Sequence, residues 1–146
     1  MNAPVNMPIS LTLKRRLNAS PARVFAAWTD PAMLMRWMGP PGVENVSADC
    51  DARVGGGFRF VMLNANGERY EASGVYQEVA PNEKLVFTWA WATTPERQSL
   101  VTVSIKADGD GALLTLIHEH FADEDARDRH AHGWSGSFDR LQSLFA

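Results

Sequence analysis

A chain of 146 residues, 45% hydrophobic and 21% charged, has the length and composition of one globular domain that needs neither metal nor disulfide to hold a core. A net charge of -3 without any run of five or six like charges argues against nucleic acid or an anionic membrane surface as partner. The single cysteine, Cys50, excludes an intrachain disulfide and fits a reducing compartment.

No stretch approaches the ~18–20 apolar residues that span a bilayer. The opening MNAPVNMPIS has no basic end leading into an apolar run, so no secretory leader is expected and the expected location is cytoplasmic. Residues 1–8 carry two prolines and little pattern, and read as a flexible terminus. From Ile9 the apolar residues Leu11, Leu13 and Leu17 alternate with polar ones, which predicts a half-buried strand. Ser20-Pro21 predicts a helix start, with Ser20 as cap and Pro21 where its missing N–H costs nothing. Asp30-Pro31 repeats the device, so a second short helix follows at once. Gly39-Pro40-Pro41-Gly42 ends it.

A β region comes next. Val43–Asp51 is a weak strand. Gly55-Gly56-Gly57 signals a bend, and Asn66-Gly67 a hairpin turn. Phe58, Phe60 and Met62 share one face of a strand, and Leu85, Phe87, Trp89 and Trp91 share one face of another. With Tyr70–Val79, Val101–Ile105 and Leu113–Phe121, these make an antiparallel meander. The end changes period. Asp123, Glu124 and Asp125 suit a helix N-terminus, and Ala126, His130, Trp134, Phe138, Leu141 and Phe145 recur at helical spacing over about twenty residues. An apolar sheet face must be covered, and only this last helix is large enough. The predicted fold is α+β: a curved antiparallel sheet of six to seven strands around a long C-terminal helix, with two short helices after the first strand and one domain over residues 9–146. A curved sheet and a straight helix do not touch everywhere, so a cavity between them is expected.

Several blocks then fall in a recognisable order: Arg16, Ser20-Pro21, Val24-Phe25, Ala27-Trp28-Thr29-Asp30-Pro31, Leu34, Arg36-Trp37 and Gly39-Pro40. Further on come Asp51-x-Arg53-x-Gly55-Gly56, Gly74-x-Tyr76-x-Glu78, Leu85-Val86-Phe87-Thr88-Trp89, Leu114-Thr115-Leu116-x-His118, and Gly133-Trp134 with Leu141. Over roughly residues 9–145 the chain resembles the homologues of the activator of Hsp90 ATPase, within the START-like, birch-allergen-like helix-grip superfamily. The resemblance implies the helix-grip fold. It also implies three directions for function, because the superfamily includes lipid and hormone carriers, chaperone activators and polyketide cyclases.

The candidate binding residues are mostly apolar, as ligand pockets are. Trp28, Trp37, Met38, Phe60, Met62, Trp89, Trp91, Trp134 and Phe138 supply bulk, and the methionines supply adaptability. Trp28 and Trp37 also suit the anchoring of the two short helices. Met33 and Met35 fall out of phase. Tyr76 and His118 are the candidate polar anchors. His118 and His120 share a strand face and could share a metal; a zinc site needs a third ligand, for which His130 and His132 on the helix are candidate donors, although two apart they diverge around it. Arg16, Arg53, Glu78 and Asp51 are expected to pair, although one arginine at a cavity mouth would receive a carboxylate. Gly133 suggests a close approach of helix to sheet. Gly133-Trp134-Ser135-Gly136 lacks the spacing of a nucleophile elbow, and Cys50 has no basic neighbour to activate it.

The leading expectation is a binding protein for a small hydrophobic molecule, without metal or cofactor. A chaperone-interacting module is the second, and a cyclase or hydrolase starting from His118 and Tyr76 the third. A homodimer is open to the chain, since no residue pattern specifies or forbids an interface.

Overall fold

The computed structural model describes residues 9–146; the segment 1–8, expected to be flexible, lies outside the described residues. Strand β1 (Ser10–Leu17) leads into helices α1 (Pro21–Thr29) and α2 (Pro31–Trp37). Both helices start by the cap-and-proline device. Ser20 accepts a bond from the Arg23 N–H and Asp30 from the Ala32 N–H at 2.9 Å, each ahead of a proline in the first turn.

The meander follows as β2 (Glu44–Cys50), β3 (Gly57–Leu63), β4 (Arg69–Ala80), β5 (Lys84–Trp91), β6 (Ser99–Asp108) and β7 (Gly111–Glu119). All pairings are antiparallel, in the order β1-β7-β6-β5-β4-β3-β2. The chain therefore starts beside its last strand, with Leu11 opposite His118. The register shifts between Asn45 and Ser47 and between Tyr76 and Glu78, and such bulges bend a sheet. At Gly74 the β4 backbone runs so close to β5 that a Cβ there would sit 1.8 Å from the Thr88 carbonyl oxygen. Only glycine fits this point of the curl.

Helix α3 (Glu124–Leu144) is capped by Asp123, whose side chain accepts from the Ala126 N–H at 2.7 Å. It packs on β1 and α2. Gly136 makes the close approach, because a Cβ there would meet Pro41 Cδ at 2.8 Å, whereas one on Gly133 would meet nothing within 4 Å. The expectation placed on Gly133 is thus corrected: it fronts open space, and its neighbour three residues on touches the Pro40-Pro41 turn. Arg140 holds the same junction by donating to the carbonyls of Met38 at 3.0 Å, Gly39 at 3.1 Å and Arg36 at 3.3 Å. A cation on those orphan carbonyls satisfies the C-terminus of α2.

Trp28 is the hub of the core. Its ring lies 4.7 Å from that of Trp37, 5.9 Å from Trp134 and 6.2 Å from Phe138. Trp37 is fully buried and donates its indole N–H to the Ala27 carbonyl at 2.9 Å, which pins α2 to α1. Trp28 on α1 and Trp37 on α2 thus anchor the two short helices, as their positions in the chain suggest.

Candidate functional site

A cavity of about 610 Å³ opens between the sheet and α3. From the sheet come Met62 on β3 and Trp89 and Trp91 on β5. From α3 come Ala126, His130, Gly133, Trp134 and Ser137, spaced so that they share one helix face. The α2–β2 connection adds Met38, Gly39, Pro40 and Val43. Tyr70 on β4, Ser99 on β6 and Arg129 on α3 complete these surfaces, and loops close the rest: Asn64 after β3, Thr93, Thr94 and Arg97 after β5, and Phe121 and Ala122 before α3.

Of the candidate residues, Met38, Met62, Trp89, Trp91 and Trp134 border this cavity. Trp28, Phe60 and Tyr76 border a separate void of about 20 Å³, large enough for about one water molecule. Trp37, Phe138 and His118 border neither and are at most 1% exposed, so they are packed interior. Tyr70, Phe121, Arg97, His130 and Ser137 border the cavity without having been singled out as binding residues. For the helical pair the spacing from Ala126 held a signal; Tyr70 and Phe121 sit at the ends of the expected strands Tyr70–Val79 and Leu113–Phe121, where alternation does not mark a cavity wall, and Arg97 lies on a loop with no periodicity to read.

His118 and His130 beside the cavity are held by partners within the protein, whereas the Trp89 indole N–H is buried without one among the described residues. The Trp134 indole N–H donates to His118 Nδ1 at 3.0 Å, and His118 Nε2 lies 2.7 Å from Ser99 Oγ. An indole can only donate, so Nδ1 accepts and the proton of the neutral ring sits on Nε2. Ser99 then accepts from His118 and passes its own hydrogen to the Trp89 carbonyl at 3.1 Å. Burial, with His130 nearby, pushes the His118 pKa down to about 2, so the ring stays neutral. His130 repeats the arrangement one layer out. It takes the Trp91 indole N–H on Nε2 at 2.9 Å, and Nδ1 donates to the Ala126 carbonyl at 2.7 Å. Burial lowers its pKa as well. Phe121 lies against both rings, at 4.2 Å from His118 and 4.9 Å from His130.

The other polar expectations land elsewhere. The Tyr76 hydroxyl lies 2.9 Å from Cys50 Sγ, and burial raises the pKa of both groups. Cross-strand pairing runs His118–Val101–Phe87–Tyr76, which sets Tyr76 three strands from His118, about 14 Å at the usual spacing. They do not form an acid–base pair. His120 lies past the end of β7, exposed and with φ of +69°, so it does not share the buried side of His118. Among the described residues no three His, Cys, Asp or Glu are placed to hold a metal ion. Arg16 pairs with Asp108 and Asp110, Arg53 with Asp51, and Glu78 with Lys84, all at the surface rather than at a buried site. Pairing is therefore as expected, while burial is not.

The sequence model of a protein family described as "Activator of Hsp90 ATPase homolog 1-like protein" matches residues 18–146. The chain belongs to this family. A solved structure from Silicibacter pomeroyi, of an AHSA1 protein, is 32% identical over 93% of this chain and 96% of its own, with a TM-score of 0.83. A protein from Chromobacterium violaceum reaches a TM-score of 0.85 at 29% identity, over 94% of this chain and 98% of its own. CalU16 from Micromonospora echinospora is 26% identical over 99% of this chain and 80% of its own, with a TM-score of 0.71. No curated protein matches the chain. Membership and fold place the chain, at the level of the family, among ligand-binding-type modules of START-like build. No helix among the described residues is long and apolar enough to cross a membrane.

Proposed function

We propose that this chain binds a small hydrophobic molecule in the cavity between the sheet and α3. The supporting observation is the cavity itself. Its volume of about 610 Å³ falls in the range of roughly 300–1,000 Å³ usual for small-molecule sites, and its wall carries Met38, Met62, Trp91, Phe121 and Trp134. Burial of apolar ligand surface would supply about 25 cal/mol per Å2, and the methionines let the wall adapt to shape. Polar direction comes from wall residues such as Tyr70, Thr93 and Thr94 rather than from Tyr76 or His118, which already have partners. Titration with N-phenyl-1-naphthylamine, an uncharged apolar fluorophore, tests this. Saturable probe emission with quenching of tryptophan is expected; unsaturable binding, or none at probe saturation, would overturn the proposal.

The hydrogen-bond direction at His118 speaks against a hydrolase. Ser99 and His118 are close enough for a nucleophile and its base, but the proton on Nε2 points at Ser99, so the ring cannot take the serine's hydrogen. The chaperone-contact reading draws support from the family description. A coupled ATPase assay with an Hsp90 chaperone addresses it: stimulation supports it, and none at saturating protein removes it.

A further inference from the structure

The chemistry of the cavity rim narrows the ligand further. Among the described residues the cavity wall carries two charged side chains, Arg97 and Arg129, and no aspartate or glutamate lines it. This is a local reversal, since the chain as a whole carries a net charge of -3. Both arginines are exposed, so each guanidinium meets water at the rim while the interior is apolar. They come from separate elements, the loop after β5 and the first turns of α3, which converge on one cavity. The two arginines differ in what they have left to give. Arg129 holds Asp125 at 3.2 Å. Arg97 has no carboxylate partner among the described residues. One free planar fork, supplemented by a cation already half-neutralised, suits a monoanion better than a dianion.

We propose that the cavity selects a single-chain aliphatic carboxylate, its tail among Met38, Met62, Trp91 and Trp134 and its headgroup on Arg97 with Arg129 beside it. This rests on the hydrophobic-ligand reading above and names the chemical class of the ligand. A charged headgroup stays in water while its tail leaves it, which is the division of surface this cavity presents. At about 30 Å³ per water-sized group, 610 Å³ holds about twenty such groups, the size of a medium to long chain.

The experiment compares tetradecanoate, tetradecan-1-ol and tetradecyl phosphate, at sub-micellar concentration, by displacement of N-phenyl-1-naphthylamine. The variants are Arg97→Gln and the double variant with Arg129→Gln, with circular dichroism confirming their fold. The wild type is expected to bind tetradecanoate about tenfold more tightly than the alcohol, the effect of one charge-assisted hydrogen-bonded pair at a wet rim. Raising the salt concentration is expected to shrink the difference, and Arg97→Gln to bring acid and alcohol close to parity while the alcohol binds as before. Equal affinity for acid and alcohol in the wild type would overturn the headgroup assignment and leave the cavity reading standing. So would an acid preference that survives in the double variant. Tighter binding of the phosphate than of the carboxylate would overturn the choice of monoanion. If the uncharged probe and all three amphiphiles fail to bind, the cavity reading falls, and this inference with it.

Discussion

Alanine substitutions at Gly133 and Gly136, three residues apart on α3, are expected to differ in their effect: the first stabilises and the second does not. Glycine in a helix interior costs about 1 kcal/mol relative to alanine, largely through the freedom it adds to the unfolded chain. At Gly133 a new Cβ meets no atom within 4 Å because the position fronts the cavity, so Gly133→Ala keeps this gain. About 1 kcal/mol corresponds to a rise of roughly 3–4 °C in Tm for a chain of this size. At Gly136 the new Cβ would lie 2.8 Å from Pro41 Cδ and 3.3 Å from Pro40 Cα. Neither proline can swing aside, and overpacking of this kind costs typically 1–3 kcal/mol. Set against the same gain of about 1 kcal/mol, Gly136→Ala is neutral to about 2 kcal/mol destabilising. Thermal unfolding followed by circular dichroism reads both. A Gly133→Ala variant less stable than the wild type, or less stable than Gly136→Ala, would refute the assignment of open space to one glycine and tight contact to the other.

Acid should weaken the fold through His118. Its folded pKa lies far below the unfolded value of 6.5, so the unfolded chain binds the proton first and stability falls as the pH drops below about 6.5. One pH unit below that value the loss from this group alone approaches ~1.4 kcal/mol. Urea midpoints at pH 7.5 and 5.5 measure it, above the range where carboxylates titrate, and a His118→Gln variant with an undiminished pH slope would contradict it. Ser99→Ala removes the acceptor of His118 Nε2 and should cost about 1–3 kcal/mol in urea unfolding; an unchanged midpoint would show the bond to be idle. Arg140→Met strips hydrogen bonds from three carbonyls at the end of α2 and should cost about 1–3 kcal/mol. It should also weaken probe binding, since Met38 and Gly39 are cavity wall; loss of stability with probe affinity intact would separate that junction from the site. Gly133→Phe should leave the fold in place while blocking N-phenyl-1-naphthylamine, and full binding by this variant would place the probe elsewhere.

The fold was legible because its determinants are local. Ser20-Pro21 and Asp30-Pro31 announce two helices without reference to any other part of the chain, and Asp123 opens the third. Alternation along β5 puts Phe87 and Trp89 on one face whatever the sheet does next. The cavity was legible only in part, because bordering it is a tertiary property. Trp37 and Trp91 are the same residue type in equally clear patterns, yet one is packed solid by α1 and the other meets the open space. Loop residues 93–97 carry no period, and Phe121, expected to close the strand Leu113–Phe121, lies past the end of β7 at Glu119; both join the wall only once the sheet has curled. Gly133 and Gly136 look alike along the helix; what separates them is the Pro40-Pro41 turn, about ninety-five residues away in the chain. Arg16 and Arg53 drew notice through the resemblance, whereas Arg97, on a loop without pattern, stands at the cavity rim.

Methionine methyl groups offer the most direct test of the cavity as the binding site. Met38 and Met62 border it, and Met33 and Met35 on α2 do not. With 13C-methyl methionine labelling and N-phenyl-1-naphthylamine as ligand, the Met38 and Met62 signals should shift in a saturable manner while those of Met33 and Met35 stay in place. Binding that moves Met33 or Met35 and leaves Met38 and Met62 still would contradict it.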